Sequence, residues 1–113
     1  MSEVITYTDS GGIKTIPCTE ILRFRSSGNY SQIVFCDGRK EITLTIQIGK
    51  LNEHLTQSHP FFRIHNCHYV NMDYAQKITN DRKALLFMKK GLPIPIGKTY
   101  LAPTRQRLRN HNR

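Results

Sequence analysis

The sequence lacks a long hydrophobic run, and this absence excludes a membrane-spanning helix. Its longest apolar run covers only residues 84–88, whereas a bilayer span needs about 20 residues. The first residues, 1–6, show no basic stretch followed by an apolar one, so no secretory signal is expected. We therefore expect a cytoplasmic protein with no membrane partner.

Cysteine and acidic residues are also scarce, which limits disulfide, metal and catalytic chemistry. Three cysteines, an odd number, fit a reducing compartment. A chain of 113 residues is long enough for one domain whose core needs neither disulfides nor a structural metal. Only 8 Asp and Glu residues leave few candidates for general acid–base catalysis, and no glycine-rich phosphate loop leads from a predicted strand into a helix. We expect no enzyme activity and no cofactor.

One cluster of metal-capable side chains occurs at His65, Cys67 and His68, with His59 upstream. The other two cysteines do not supply the second pair of ligands that a zinc site needs, so no bound metal is expected. Cys67 beside two imidazoles has the neighbours of a nucleophile, but cysteine more often serves as a small buried hydrophobe. A metal- or thiol-dependent enzyme centred on Cys67 stays as an alternative hypothesis.

Positive charge is concentrated in the last third of the chain. Residues 1–80 carry 8 basic and 7 acidic side chains, whereas residues 81–113 carry 9 basic side chains and one acidic side chain. Such a surface attracts a polyanion through counterion release, and nucleic acid is the commonest cytoplasmic polyanion. The charge alone is equally compatible with a solvated basic tail.

Short alternating segments predict a mostly β sandwich or barrel-like domain. Roughly eight or more strands are separated by turn signals. Hairpins are predicted over residues 4–16, at Asp37-Gly38 between residues 30–35 and 40–44, and over residues 76–88 with a turn at residues 80–83. Residues 61–64 and 69–71 are further strands.

Two prolines and two helical segments complete the predicted fold. Pro93 and Pro95 remove backbone donors from one side of residues 92–96, which predicts an edge strand. A short helix is predicted over residues 45–55, and a second over residues 100–110, with Pro103 in its first turn.

Polar loops are the candidate binding elements, because the chain lacks the two adjacent amphipathic helices of a helix-turn-helix. Three segments combine amides, hydroxyls or cations, namely residues 26–31, 65–68 and 97–99. Such side chains reach base edges without leaving the core unfilled.

A series of segments resembles the LytTR DNA-binding domain. In order, they are Glu20-Ile21-Leu22, Gly28-Asn29-Tyr30, Asp37-Gly38, residues 62–71 and residues 92–98. The most specific segment is 62–71, which is similar to the family pattern R-I-H-x-S-x-x-V-N. The resemblance covers about residues 13–109 of a single domain over residues 1–113. It implies an elongated, mostly β sandwich of short antiparallel strands with a short mid-chain helix and a short C-terminal helix.

The resemblance also implies a mode of DNA binding, in which loops enter successive major grooves and bend the duplex. Three positions match places where the family reads bases: Ser31, Asn66 and Lys98. The neighbouring positions expected to contact DNA are Asn29, Tyr30, Arg63, His65 and Thr99.

Some of these side chains have structural alternatives. Arg63 could pair with a carboxylate, and His65 could be a hydrogen-bonded structural residue. Asn29 could serve only its loop, and Asn71 caps or turns the backbone more readily than it contacts DNA.

The sequence departs from the family pattern at the expected site. Lys98 stands where Arg is usual, and a lysine is a point charge without the guanidinium fork that grips guanine. Asn66 suits adenine or a phosphate. Gly97 and Cys67 each stand where a serine is common, and Arg25 where an acidic residue is frequent.

The leading hypothesis is a transcriptional regulator that binds duplex DNA in a sequence-specific way. Members of the family usually follow a phosphorylatable receiver domain, and a homodimer on tandem half-sites is a further expectation. The sequence leaves open whether the chain is free-standing or part of a longer regulator. The alternative, from another class, is a small basic β protein that binds RNA.

Overall fold

The central element of the fold is a five-stranded antiparallel sheet. The computed structural model describes residues 4–55, 59–79 and 83–111. Its strands β1 to β10 are, in chain order, Val4–Asp9, Gly12–Pro17, Ile21–Ser27, Tyr30–Phe35, Ile42–Leu44, Phe61–His65, His68–Asn71, Ala75–Ile78, Leu85–Met88 and Ile94–Pro95. Short 3-10 helices cover Cys18–Glu20, Ile48–His54, Met72–Tyr74 and Lys98–Tyr100, and the α-helix α1 covers Leu101–His111.

Three sheets build the molecule. The five-stranded sheet has the order β5-β4-β3-β7-β6, a three-stranded sheet has the order β10-β9-β8, and β1 and β2 form a separate hairpin. Every pairing is antiparallel. The prediction of a mostly β domain of short antiparallel strands is confirmed, and the molecule is elongated, at 45 × 33 × 25 Å.

The five-stranded sheet is covered on both faces by apolar side chains. Neighbouring strand residues point to opposite faces, so Tyr69 joins one core and Val70 the other. The first core contains Phe24 and Leu51 and lies under the β1–β2 hairpin and the 3-10 helix Ile48–His54. The second core contains Leu86 and lies under the three-stranded sheet and α1. Within the described residues, no helix has the length and hydropathy of a membrane span.

The predicted mid-chain helix is present but shorter and of a different type. It is a 3-10 helix over Ile48–His54 rather than a helix over residues 45–55. Its two buried residues, Ile48 and Leu51, are three positions apart, and in a 3-10 helix such residues lie directly above each other. This spacing lets one narrow stripe face the sheet.

The hairpin at Asp37-Gly38 joins the predicted strands, but the second strand is shorter than predicted. The ladder between β4 and β5 begins at Ile33 opposite Ile42, so β5 omits residues 40 and 41. Arg39 folds back over the Phe35 ring (Cζ to centroid 4.4 Å) and pairs with Asp37 and Glu20. These contacts hold residues 37–39 in a broad turn outside the ladder.

The predictions for the C-terminal segment are confirmed. Strand β10 lies at the edge of its sheet, where proline costs no ladder hydrogen bond. Pro103 is the third residue of α1, in the turn whose N–H groups lack intrahelical partners. The β8–β9 hairpin is present, although residues 80–82 of its predicted turn at residues 80–83 lie outside the described residues.

Asn71, at the end of β7, ties three parts of the fold together. Its side chain is fully buried, and Nδ2 donates to the carbonyl oxygens of Cys18 (3.1 Å) and Ile21 (2.8 Å). Its Oδ1 accepts from the N–H of Asp73 (2.9 Å) and caps the 3-10 helix Met72–Tyr74. The expectation that Asn71 caps the backbone is confirmed.

We expect Asn71→Ala to destabilise the domain by roughly 2–4 kcal/mol, because it strands buried carbonyl oxygens and an N–H group without partners. Urea unfolding followed by circular dichroism measures the loss. The matched control is Asn110→Ala, which removes an exposed amide and is expected to change stability by less than about 0.5 kcal/mol. Equal stability of the two variants would contradict the account of Asn71.

Candidate nucleic-acid interface

Three polar segments meet at one end of the five-stranded sheet. We call this the polar end and define it by the β3–β4 turn (residues 28–29), the β6–β7 turn (residues 66–67) and residues 97–99. The N–H of Ser26 donates to the carbonyl oxygen of Cys67 (3.0 Å) and joins the two turns. The N–H of Gly97 donates to the carbonyl oxygen of Ile64 (2.8 Å) and brings the third segment against β6.

Asn66 is the exposed tip of the β6–β7 turn. Its Oδ1 accepts a hydrogen bond from the phenolic O–H of Tyr100 (3.1 Å). That bond orients the amide, while Oδ1 keeps a second lone pair and the NH₂ group keeps two donors. An oriented amide with both functions is the group that pairs with adenine in the major groove.

Arg63 and His65 support the turn from within. Arg63 Nη2 donates to the carbonyl oxygen of Asn66 (2.9 Å), and Nε to that of His65 (3.4 Å). The Nδ1 atom of His65 accepts from the N–H of Cys67 (3.1 Å). Both side chains are half-buried, and within the described residues Arg63 has no carboxylate partner. The arrangement therefore gives both residues a structural task in holding Asn66.

Lys98 and Thr99 are exposed at the start of a 3-10 helix beside this turn. The helix is closed by a bond from the N–H of Tyr100 to the carbonyl oxygen of Gly97 (2.9 Å). A Cβ at position 97 would lie 2.9 Å from Cδ2 of Tyr100, closer than real side chains approach. Glycine at this position lets the Tyr100 ring pack there and reach Asn66.

The expectation that Ser31 lies in an exposed loop is wrong. Ser31 is the second residue of β4 and is fully buried. Its Oγ donates to the carbonyl oxygen of Ile46 (2.5 Å). Ser31 shares a strand face with Ile33 and Phe35, which are both in the core. Its hydroxyl thus bonds the segment after β5 to the sheet and is not accessible to a ligand.

Asn29, in the first turn, and Tyr30, the first residue of β4, are both exposed. Gly28 has φ +62, a conformation that residues with a Cβ rarely adopt, and it turns the chain so that Asn29 projects. Oδ1 of Asn29 accepts from Nε2 of Gln47 (3.3 Å). Tyr30 is 48% exposed, and its ring and hydroxyl are therefore accessible to a partner.

Basic side chains behind the polar end are partly neutralised. Arg25 pairs with Glu41 and donates through Nε to Gln32 (2.9 Å). Arg23 Nη1 lies 3.2 Å from Nδ1 of His68. Burial, followed by the positive charge of Arg23, lowers the pKa of His68 to about 4. The neutral ring therefore accepts from Arg23 at Nδ1 and carries its proton on Nε2.

The metal-capable cluster named from the sequence does not assemble into a ligand set. The rings of His65 and His68 lie 5.1 Å apart, but Nδ1 of each is engaged in the contacts described above. Among the described residues, no group of three or more His, Cys, Asp or Glu side chains converges.

Part of the positive charge of the last third lies beside the polar end. Lys83, Lys98 and Arg105 border one depression of about 530 Å³ on the face where β10 meets α1. Lys98 thus belongs both to the polar end and to this basic surface. Sequence reasoning missed two residues of the site, Tyr100 and Gln47, because each acts on a partner 34 or 18 residues away and carries no local signal.

The chain is similar to known proteins in sequence and in fold. The family model described as the LytTr DNA-binding domain matches residues 11–109. A solved structure, the LytTr DNA-binding domain of a putative methyl-accepting/DNA response regulator from Bacillus cereus, is similar to the chain with a TM-score of 0.73 at 19% sequence identity. The match covers 96% of this chain and 98% of the other. Among curated proteins, none matches the sequence.

The low pKa of His68 predicts a loss of stability in weak acid. Above pH 6.5, the ordinary histidine pKa, the folded and unfolded states both hold a neutral ring. As the pH falls from 6.5 to about 4, the unfolded state takes up the proton first, so the free energy of unfolding decreases. Urea unfolding at several pH values is expected to show this decrease in the free energy of unfolding for the parent protein. The decrease should be smaller for His68→Gln.

The control for this measurement is His54→Gln, which removes an exposed histidine and should leave the acid-induced loss as large as in the parent. An NMR titration of the ring gives the pKa of His68 directly. A pKa at or above 6.5 would contradict the buried, neutral His68 described here.

Proposed function

The chain belongs to the family of LytTR DNA-binding domains, and from that premise we propose that its polar end reads base sequence in the major groove. DNA binding in transcription regulation is the activity of the family. The proposal concerns the residues: Asn66 and Lys98 contact bases, and Asn29, Tyr30 and Thr99 contact the duplex around them.

The convergence of Asn66 and Lys98 on one exposed surface carries the proposal. Tyr100 bonds the Asn66 amide and belongs to the same 3-10 helix as Lys98. A rigid, pre-oriented amide loses little conformational entropy on binding, which favours base contacts over mobile surface contacts. An adenine contact for Asn66 and a guanine contact for Lys98 fit their chemistry.

Supporting roles follow from burial. We assign Arg63 and His65 to positioning Asn66 rather than to direct contact with DNA, since their polar atoms already bind the turn. We leave Ser31 out of the contact set because it is fully buried, and we assign its place to Asn29 and Tyr30 at the same turn.

The basic surface supplies the affinity that does not depend on sequence. Lys83 and Arg105 are exposed, and each phosphate that such a side chain neutralises releases counterions. This surface borders Lys98, so one duplex in contact with the polar end also faces the basic residues. A cytoplasmic location goes with this role.

The family suggests further partners. We propose that two copies occupy tandem half-sites on one duplex and that a receiver domain regulates the DNA-binding activity. No catalytic role is proposed. Binding to RNA, the alternative from the sequence, would use the same basic surface and becomes an outcome of the test.

Selection from a random duplex pool, followed by fluorescence anisotropy, tests the assignment. We expect Asn66→Ala to cost roughly 1–3 kcal/mol on the selected duplex and little on a scrambled one, because a base contact is lost. Arg105→Ala, in contrast, is expected to weaken both duplexes alike and to reduce the salt dependence.

Asn110→Ala is the matched control, since it removes an exposed amide away from the polar end and should bind as the parent does. Equal losses on both duplexes for Asn66→Ala would exclude a role in base readout. Tighter binding to structured RNA than to the selected duplex would replace DNA with RNA as the partner.

A further inference from the structure

A second concave site lies next to the polar end, on the other side of Tyr100. Here β6, the 3-10 helix Ile48–His54 and the start of α1 form the walls of an open cavity of about 590 Å³. This volume is within the range of small-molecule sites, roughly 300–1,000 Å³. Aromatic rings of Phe62, Tyr69 and Tyr100 form much of its wall.

Two arginines on this wall lie over aromatic rings. Arg107 Cζ lies 5.2 Å from the centroid of Phe62, and Arg63 Cζ lies 5.9 Å from the centroid of Tyr100. A guanidinium over a ring face is attracted to the ring and still has N–H groups at its edges that can donate to a ligand. Arg63 uses two donating nitrogens on the β6–β7 turn, and a guanidinium has five N–H donors.

The cavity offers no negative charge to these two cations. None of the described residues that line it is acidic. Across residues 4–55, 59–79 and 83–111, neither Arg63 nor Arg107 forms an ion pair with a carboxylate. Two half-buried guanidinium groups without counter-charges, in a partly apolar cavity, favour an anionic occupant.

We propose that this cavity binds a small planar organic anion, with an aromatic ring between the aromatic walls and a phosphate or carboxylate on Arg63 and Arg107. A DNA backbone phosphate needs only exposed cations and would leave the aromatic walls unused. The ring is therefore the feature that separates a small-molecule ligand from a backbone contact.

The site has a consequence for DNA binding. Arg63 and Tyr100 line the cavity and also hold Asn66, through its carbonyl oxygen and its Oδ1. An anion that recruits Arg63 competes with its bonds to the turn, so occupancy lowers the affinity for the selected duplex. This regulatory consequence rests on the proposed function, whereas binding of the anion does not.

The binding test uses 1-naphthyl phosphate and inorganic phosphate as probes, titrated without DNA at constant ionic strength into ¹⁵N-labelled protein. We expect 1-naphthyl phosphate to shift the amides of residues 61–63, 69, 99–102 and 104–107, with a dissociation constant of about 0.1–1 mM, a range typical of a ligand of this size. Inorganic phosphate should bind at least about tenfold more weakly, because it lacks the ring.

Arg107→Gln is expected to weaken 1-naphthyl phosphate at least about fivefold, through loss of a charge-assisted contact. Arg109→Gln, the matched control, makes the same charge change at an exposed position that does not line the cavity and should have less than about a twofold effect. Arg107→Lys, which keeps the charge without the planar fork, separates geometry from charge and is expected to fall between the two.

Two results would overturn the site: equal effects of Arg107→Gln and Arg109→Gln, or equally tight binding of the two probes, which would make the cavity a plain phosphate contact. Anisotropy on the selected duplex then tests the regulatory consequence. A loss of DNA affinity at saturating 1-naphthyl phosphate supports it. An unchanged affinity overturns that consequence alone.

Discussion

The buried amide of Asn71 is the interaction on which the rest of the structure depends. It bonds the carbonyl oxygens of Cys18 and Ile21 and caps the 3-10 helix that follows β7. The amide thereby connects the β1–β2 hairpin, the central sheet and the three-stranded sheet. It also fixes β7 against β3, with Val70 opposite Arg23. A slip of one residue would turn Val70 out of its core and Tyr69 into it.

The register set at Asn71 determines which turns are neighbours at the opposite end of β7. There, Arg25 lies opposite His68, so the turns after β3 and before β7 are neighbours. Packing of Gly97 on Ile64 adds the third segment. The polar end thus results from strand pairing. Its exposed side chains belong to segments whose backbone is hydrogen-bonded to neighbouring segments. Such a site is positioned by the sheet rather than by mobile loops.

Much of the fold was predictable because its signals are local. Alternation of apolar residues located the strands, glycine marked the turn at Gly28, and Pro93 and Pro95 marked the edge strand. The same alternation places Ser31 on the face of Ile33 and Phe35. The alternation alone therefore predicts a buried serine, whereas the family resemblance predicted a DNA contact. The bonds from Tyr100 to Asn66 and from Gln47 to Asn29 join distant segments. Periodicity cannot reveal them, because they depend on how the sheets pack.

The cavity beside Tyr100 was equally hidden, since its walls come from β6, a 3-10 helix and α1. Tyr100 and Arg63 belong to both sites, and the two sites therefore share their supporting contacts. A small movement of Arg63 or Tyr100 in the cavity therefore changes the position of the Asn66 amide, which we assign to base readout. In the function that we propose, the specificity of DNA binding depends on the polar end.

Chemical-shift mapping with the selected duplex tests this claim most directly. In ¹⁵N-labelled protein, the account predicts the largest amide shifts at residues 28–30, 66–67 and 97–99, with smaller shifts along the basic face of α1. The broad turn at residues 37–39, at the opposite end of the sheet, should remain unchanged. Largest shifts at that turn, or on α1 alone, would contradict the account.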